Sequence, residues 1–265
     1  MPQIQVCAGG RRGLQTGPRD AIIAVNPGCI PGKGDEMTRI GIISAMPVEL
    51  ENFTGALHAK PLGDRRFYKL DRGEIGKTEV YLACCGIGKV NAAVCTQKLI
   101  DLYGVEAIIN MGIAGGVAPQ LRTLDLVIGS EVLYHDFTPP ELLEKYYPFS
   151  QAFPCDKKLV ALAEQACRDC PETDRYYVGR VASGDCFVED DAVKARIRDT
   201  LRGLCCEMEG AAIGHAAFVS GVPFVIIRSI SDLADGNAQL SYDEFEKKAA
   251  LQANRIVLGI LRQLG

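Results

Sequence analysis

From Met37 onward, short apolar runs alternate with stretches whose apolar residues return every three or four positions. The runs fall at Ile40–Ser44, Glu79–Cys84, Ala107–Asn110, Leu126–Ile128, Gly179–Ala182 and Phe224–Ile227. Runs this short and this continuously apolar suit strands covered on both faces. Helical periodicity spans Pro47–His58, Val90–Tyr103, Lys157–Cys167, Asp190–Leu201, Glu209–Ser220 and Tyr242–Leu264. Pro47 fits a first helical turn, where the missing N–H costs no hydrogen bond. The pairs Asp190-Asp191 and Asp243-Glu244 place negative charge where a helix start favours it. The alternation predicts an α/β sandwich around a parallel or mixed sheet. No repeat or linker interrupts it, so residues 37–265 are expected to form one domain.

The first 36 residues read differently. Met1–Glu36 is rich in Gly, Pro and Arg, and its one apolar run, Ala21–Val25, is too short for a signal-peptide core. The segment is expected to be a loose extension, or the product of an upstream start with Met37 as the functional beginning; a docked extension is the alternative.

Composition narrows the class. The chain has 265 residues, 48 % hydrophobic and 23 % charged, with a formal net charge of −4. Disorder, collagen and coiled coil do not look like this. A mildly acidic chain lacks the basic face that nucleic-acid binding needs, and no apolar run approaches the roughly 18 residues that span a bilayer. Neither a nucleic-acid nor a membrane partner is expected. The 11 cysteines are odd in number and sit mostly in apolar runs, as in Val80–Cys85, which points to reduced thiols and the cytoplasm. Cys167-Arg168-Asp169-Cys170 is a lone CxxC, and with three histidines in the chain no metal site is expected. No organic cofactor is implied either.

In open α/β sheets ligands bind beyond the carboxyl ends of strands, and four segments put polar groups there. Glu49, after Ala45-Met46-Pro47-Val48, falls at a helix start that favours an ionised carboxylate; alone it reads first as simple charge complementarity at that start. Two Gly-rich turns, Cys85–Lys89 and Asn110–Gly116, would let backbone N–H groups approach a ligand, but neither has dinucleotide-binding or Walker spacing. Ser183-Gly184-Asp185-Cys186-Phe187-Val188 could offer Phe187 to a planar ring. Cys206-Glu207-Met208-Glu209 sets two carboxylates at a strand-to-helix junction, and Phe224–Asp232 is an apolar strand that ends in Arg228, Ser229, Ser231 and Asp232. Charges on so apolar a strand must be paired or functional.

Taken together and in order, Ile40–Met46 with Glu49, Gly86-Ile87-Gly88-Lys89, Asn110–Gly116, Tyr134-His135-Asp136, Ser183–Phe187, Glu207-Met208-Glu209 and Arg228–Asp232 resemble the 5′-methylthioadenosine/S-adenosylhomocysteine nucleosidases of the purine nucleoside phosphorylase/hydrolase superfamily. The resemblance covers Met37 to about Leu264. It implies a nucleoside phosphorylase-like fold, a three-layer α/β/α sandwich with a mixed, twisted central sheet. It also implies hydrolysis of the N-glycosidic bond of methylthioadenosine, S-adenosylhomocysteine or 5′-deoxyadenosine, and a homodimer. By resemblance Asp232, oriented by Ser231, is the acid toward adenine N7. Glu49, supported by Arg228, activates water. Glu209 holds the ribose hydroxyls, with Met208 on the ribose and Glu207, at the same junction, also among the substrate-binding residues. Phe187 stacks on adenine while the Val188 backbone reads its edge. Met46, Ile87 and Tyr242 line the 5′ end. Two departures stand out: Ile113, where the family often has a small or hydroxylated residue, and Phe137–Pro148, unlike the usual segment after Tyr134-His135-Asp136. His135 is expected to be structural or interfacial rather than catalytic. The competing expectations are a phosphorylase, kept open by Lys89 and Arg228, and a non-catalytic nucleoside-binding module.

Overall fold

A computed structural model describes residues 38–51, 53–234 and 238–265, leaving out the side chains of Thr54 and of 238–244. The expectation for Met1–Glu36 lies outside the described residues. In chain order the elements are β1 (Arg39–Ser44), a 3-10 turn (Pro47–Leu50), α1 (Phe53–Ala56), β2 (Lys60–Pro61), β3 (Lys69–Ile75), β4 (Thr78–Cys84), α2 (Lys89–Tyr103), β5 (Ala107–Gly116), β6 (Leu126–Tyr134), α3 (Glu141–Lys145), β7 (Ala152–Pro154), α4 (Lys157–Asp169) and β8 (Tyr176–Ser183). Then follow α5 (Asp191–Ala195), a π-helical turn (Arg196–Thr200), β9 (Gly203–Glu207), α6 (Gly210–Val219), β10 (Phe224–Asp232) and α7 (Ala238–Leu264).

The sheet is mixed. β1 lies parallel between β4 and β5, with β3 and β2 continuing antiparallel beyond β4. β5 then pairs with two strands: β10 in parallel along most of its length, and β9 antiparallel through its last two residues. Because β10 pairs with β6, β6 with β8 and β8 with β9, these five strands close into a ring. Side chains alternate across the sheet. Ile40, Ile42, Ile109, Val225 and Ile227 pack against α4 and α7, while Ile43, Ile108, Phe224 and Ile226 pack against α2 and α6. Each of these side chains is at most 2 % exposed, and full burial of one such side chain is worth about 1.5–3 kcal/mol.

The predicted strands all form, but β5 and β10 run several residues further than their apolar cores, carrying polar residues into the interior. β2, β3, β7, β9 and α3 have patterns too short or too polar to be recognised beforehand. The helix expected over Pro47–His58 is instead a 3-10 turn and the short α1, after which His58 takes φ 48°. Asp190 caps α5 as anticipated, accepting from the Ala192 and Val193 N–H groups, but the helix breaks into a π turn at Arg196. α7 begins at Ala238, so Asp243 and Glu244 lie inside it rather than in its first turn.

Candidate active site

The ends of β1, β5, β9 and β10 surround a cavity of about 420 Å³. At one wall Pro47 opens the 3-10 turn, and the turn folds Glu49 back over its own start. Glu49 Oε2 accepts from the N–H groups of Ala45 (3.0 Å) and Met46 (2.9 Å), and Oε1 accepts from that of Ile113 (3.2 Å). The residue is 2 % exposed. Burial pushes its pKa up, against the pull of the nearby Arg228 charge and of the three N–H groups. Gly112 makes this possible, since a Cβ there would come within 2.5 Å of Glu49 Oε1.

A second wall is the β9–α6 junction. Glu207 is the last residue of β9, and its carboxylate turns back onto the start of α6. It accepts from the N–H groups of Glu209 (3.0 Å) and Gly210 (2.7 Å), from the Ser183 hydroxyl, and from the Arg228 guanidinium. Arg228 also donates to Asn110 Oδ1 at 2.7 Å. Burial raises the Glu207 pKa, but Arg228 and these hydrogen bonds outweigh it and hold the group below the usual range. Glu209 faces the cavity with less support: its Oε1 accepts from the Gly88 N–H at 2.8 Å. Burial and the Glu207 charge push its pKa up to about 7.

The third acid stands at the end of β10. The β5–β10 register shifts between Ile230 and Asp232, and the irregularity aims both Ser231 and Asp232 into the cavity. Asp232 Oδ2 accepts from Ser231 Oγ at 2.8 Å, and Oδ1 from the Ala234 N–H at 2.8 Å. Apolar groups close the rest, with Met46, Ile87 and Ile113 on one side and Phe187, Val188 and Met208 on another.

All the predicted site residues line this one cavity except Arg228 and Tyr242. The Tyr242 side chain lies outside the described residues. Arg228 sits beneath the cavity, 2 % exposed, and its hydrogen bonds go to Glu207 and Asn110 rather than to Glu49, which feels it through charge alone. Both oxygens of Glu207 are engaged within the protein, so it backs the wall rather than offering itself to a ligand. Sequence reasoning passed over Ser183 and Asn110 as supports; their signal was that each is a polar residue ending a buried run. His135 is buried against Gly184, with its ring Nε2 unpartnered, away from the cavity lining. Among the described residues no cluster of His, Cys, Asp or Glu is arranged to hold a metal ion.

A family model described as the phosphorylase superfamily matches residues 39–262. The 5′-methylthioadenosine/S-adenosylhomocysteine nucleosidase of Actinobacillus succinogenes is 38 % identical over 230 residues, covering 85 % of this chain and 99 % of that protein. The chain belongs to the methylthioadenosine/S-adenosylhomocysteine nucleosidase family. Solved nucleosidases share its fold. The enzyme of Neisseria meningitidis, in complex with methylthio-immucillin-A, superposes with a TM-score of 0.80 at 34 % identity over 86 % of this chain and all (100 %) of that one. The nucleosidase of Colwellia psychrerythraea, in complex with adenine, gives a TM-score of 0.81 at 32 % identity over 86 % of this chain and 96 % of that one. The mixed, twisted sheet between helical layers is thus the fold of the nucleosidase family, as the sequence resemblance implied.

Proposed function

We propose that the chain hydrolyses the N-glycosidic bond of 5′-methylthioadenosine and S-adenosylhomocysteine, releasing adenine and the 5-substituted ribose. One observation carries the reading: the described lining of the cavity holds Glu49, Glu207, Glu209 and Asp232, and no Lys, Arg or His. Such a site suits a cationic, oxocarbenium-like transition state and repels an anionic nucleophile. Asp232, oriented by Ser231, gives its proton to adenine N7 as the bond to the sugar breaks. Phe187 stacks on the base and the Val188 backbone meets its polar edge. Glu209 accepts from the ribose hydroxyls, Met208 packs on the ring, and Glu49 takes a proton from the attacking water. Met46 and Ile87 receive the 5′-thioether. Ile113 brings its N–H to Glu49 but no side-chain hydroxyl to the water.

Two features weigh against phosphate as the nucleophile. Lys89 is paired with Asp136 (2.6 Å) and Asp185 (3.6 Å), and Arg228 with Glu207. The N–H groups at the start of α6, a ready anion site, already hold the Glu207 carboxylate. The relatives are named as nucleosidases, and the two solved ones are in complex with methylthio-immucillin-A and with adenine. We further place the enzyme in the cytoplasm, since every described cysteine is a free thiol, and propose a homodimer. Exposed apolar side chains on α2 (Val90, Val94) and on the segment after α3 (Tyr146, Tyr147, Phe149) support an interface. Among the described residues no helix is long and apolar enough to cross a membrane.

The test is adenine release from methylthioadenosine with and without inorganic phosphate. Equal rates are expected, and strict phosphate dependence would overturn hydrolysis. Asp232→Asn should lower kcat by about 10²- to 10⁴-fold with KM little changed. Near wild-type turnover in that variant would remove Asp232 as the acid.

A further inference from the structure

Glu207 has no task on the substrate in this scheme, yet it is the most heavily bonded carboxylate of the site. Its side chain is 3 % exposed. The donors around it are a guanidinium, a hydroxyl and the first N–H groups of α6, which is the donor set of an oxyanion site. Glu207 is the anion in that site. Its surroundings are tied outward: Ser183 Oγ accepts from the Ala211 N–H at 2.6 Å, and Asn110, bound to Arg228, donates to the Ile43 carbonyl at 2.9 Å. The ends of β8 and β9, the middles of β5 and β10 and the start of α6 are therefore joined through one carboxylate. A Cβ at Gly210 would lie 3.0 Å from Glu207 Oε1, so the approach is close enough to favour glycine there.

Glu209 follows two residues later. Its own N–H is held by Glu207, and its carboxylate accepts from the Gly88 N–H. The charged and titratable groups acting on it are Glu207 from β9, Arg228 from β10, Glu49 from the 3-10 turn and the Cys85 thiol beyond β4, together with that Gly88 dipole.

We propose that Glu207 is a positioning residue, whose carboxylate permanently fills the oxyanion site beneath the cavity and thereby fixes the backbone and the charge state of Glu209. The proposal rests on the reading of Glu209 as the ribose-holding group. Glu207 acts on it in two ways. Its hydrogen bonds set where the Glu209 main chain stands, and its charge opposes ionisation of the Glu209 carboxyl.

Two variants separate these effects. Glu207→Gln keeps the shape and removes the charge, so that Arg228 acts on Glu209 without the opposing Glu207 charge. The acid limb of kcat/KM should then move to lower pH by about one unit or more, and the carboxyl ¹³C resonance of Glu209 in the ligand-free protein, assigned with Glu209→Gln, should titrate correspondingly below about 7. Glu207→Ala empties the oxyanion site. Its KM for methylthioadenosine should rise more than tenfold and fall again on addition of sodium formate, a small carboxylate that fits the vacated donors.

A purely structural Glu207 would lower Tm but leave the Glu209 titration unmoved. An unchanged Glu209 midpoint in folded Glu207→Gln overturns the proposal, as does a folded Glu207→Ala whose KM formate does not alter. If Glu207→Ala does not fold, the Glu207→Gln titration decides alone. Absence of adenine release by the wild-type enzyme would instead strike at the proposed reaction, and the resonance titration would still decide whether Glu207 governs Glu209.

Discussion

At one wall of the cavity Glu49 is held by three backbone N–H groups; at the other Glu207 is held by a guanidinium, a hydroxyl and the N–H groups of a helix start. Both are buried, 2 % and 8 % exposed. Desolvation is the largest influence on each, yet it wins at Glu49 and loses at Glu207. The difference is the position of Arg228, which hydrogen-bonds Glu207 and reaches Glu49 only through space. Two carboxylates that look alike in sequence are thus divided into one able to take up a proton and one that stays ionised. Glu209 stands between the cases: it has a dipole for a partner and a like charge for a neighbour.

The comparison can be broken most sharply at Glu49. Glu49→Gln keeps the acceptor for two of the N–H groups but cannot take a proton from water, so kcat for adenine release should fall by about 10²- to 10⁴-fold. If Glu49→Gln turns over normally while the enzyme remains hydrolytic, Glu49 is a structural group like Glu207. At the other wall, Arg228→Met leaves Glu207 buried without its cation. The loss in unfolding free energy should be about 3–5 kcal/mol, read by denaturant titration, and the double variant Arg228→Met with Glu207→Gln should recover part of it. No recovery would mean that the pair matters by its packing and not by its charge.

The smallest effect concerns Glu209. Its pKa is raised from an ordinary 4.5 to about 7, so the folded protein binds that proton more tightly than the unfolded chain. The contribution is fully present below about pH 4.5 and is lost as pH rises through about 7. Glu209→Gln should therefore gain stability over wild type on the order of 1 kcal/mol between pH 5 and 8, measured by thermal unfolding of the ligand-free protein. A constant difference across that range would show that Glu209 is not destabilised by its surroundings.

Much of this arrangement was legible in the chain. β1, β4, β5 and β10 announced themselves because strands covered on both faces are apolar at every position. Glu49, Glu209 and Asp232 could be singled out because each follows or ends such a run. The segments that escaped notice have a physical reason for doing so. β9 is five residues long and α3 is also five residues long, too short for a period to register. The break in the helix after Leu50 has no composition signal, because a 3-10 turn and a first α turn accept the same residues. Glu207 was expected beside Glu209 at the substrate, since adjacent carboxylates carry no mark of which one a distant arginine will claim.

The sequence by itself determined the alternation of elements, the family and the set of acidic residues at strand ends, because burial and backbone geometry restrict which residue types can stand at those positions. The tertiary structure alone decided how those acids differ. Ionisation depends on distances of a few ångströms between groups far apart in the chain: Arg228 on Glu207 rather than Glu49, Gly88 on Glu209, and Gly112 leaving room for Glu49. A one-dimensional pattern holds no record of such distances.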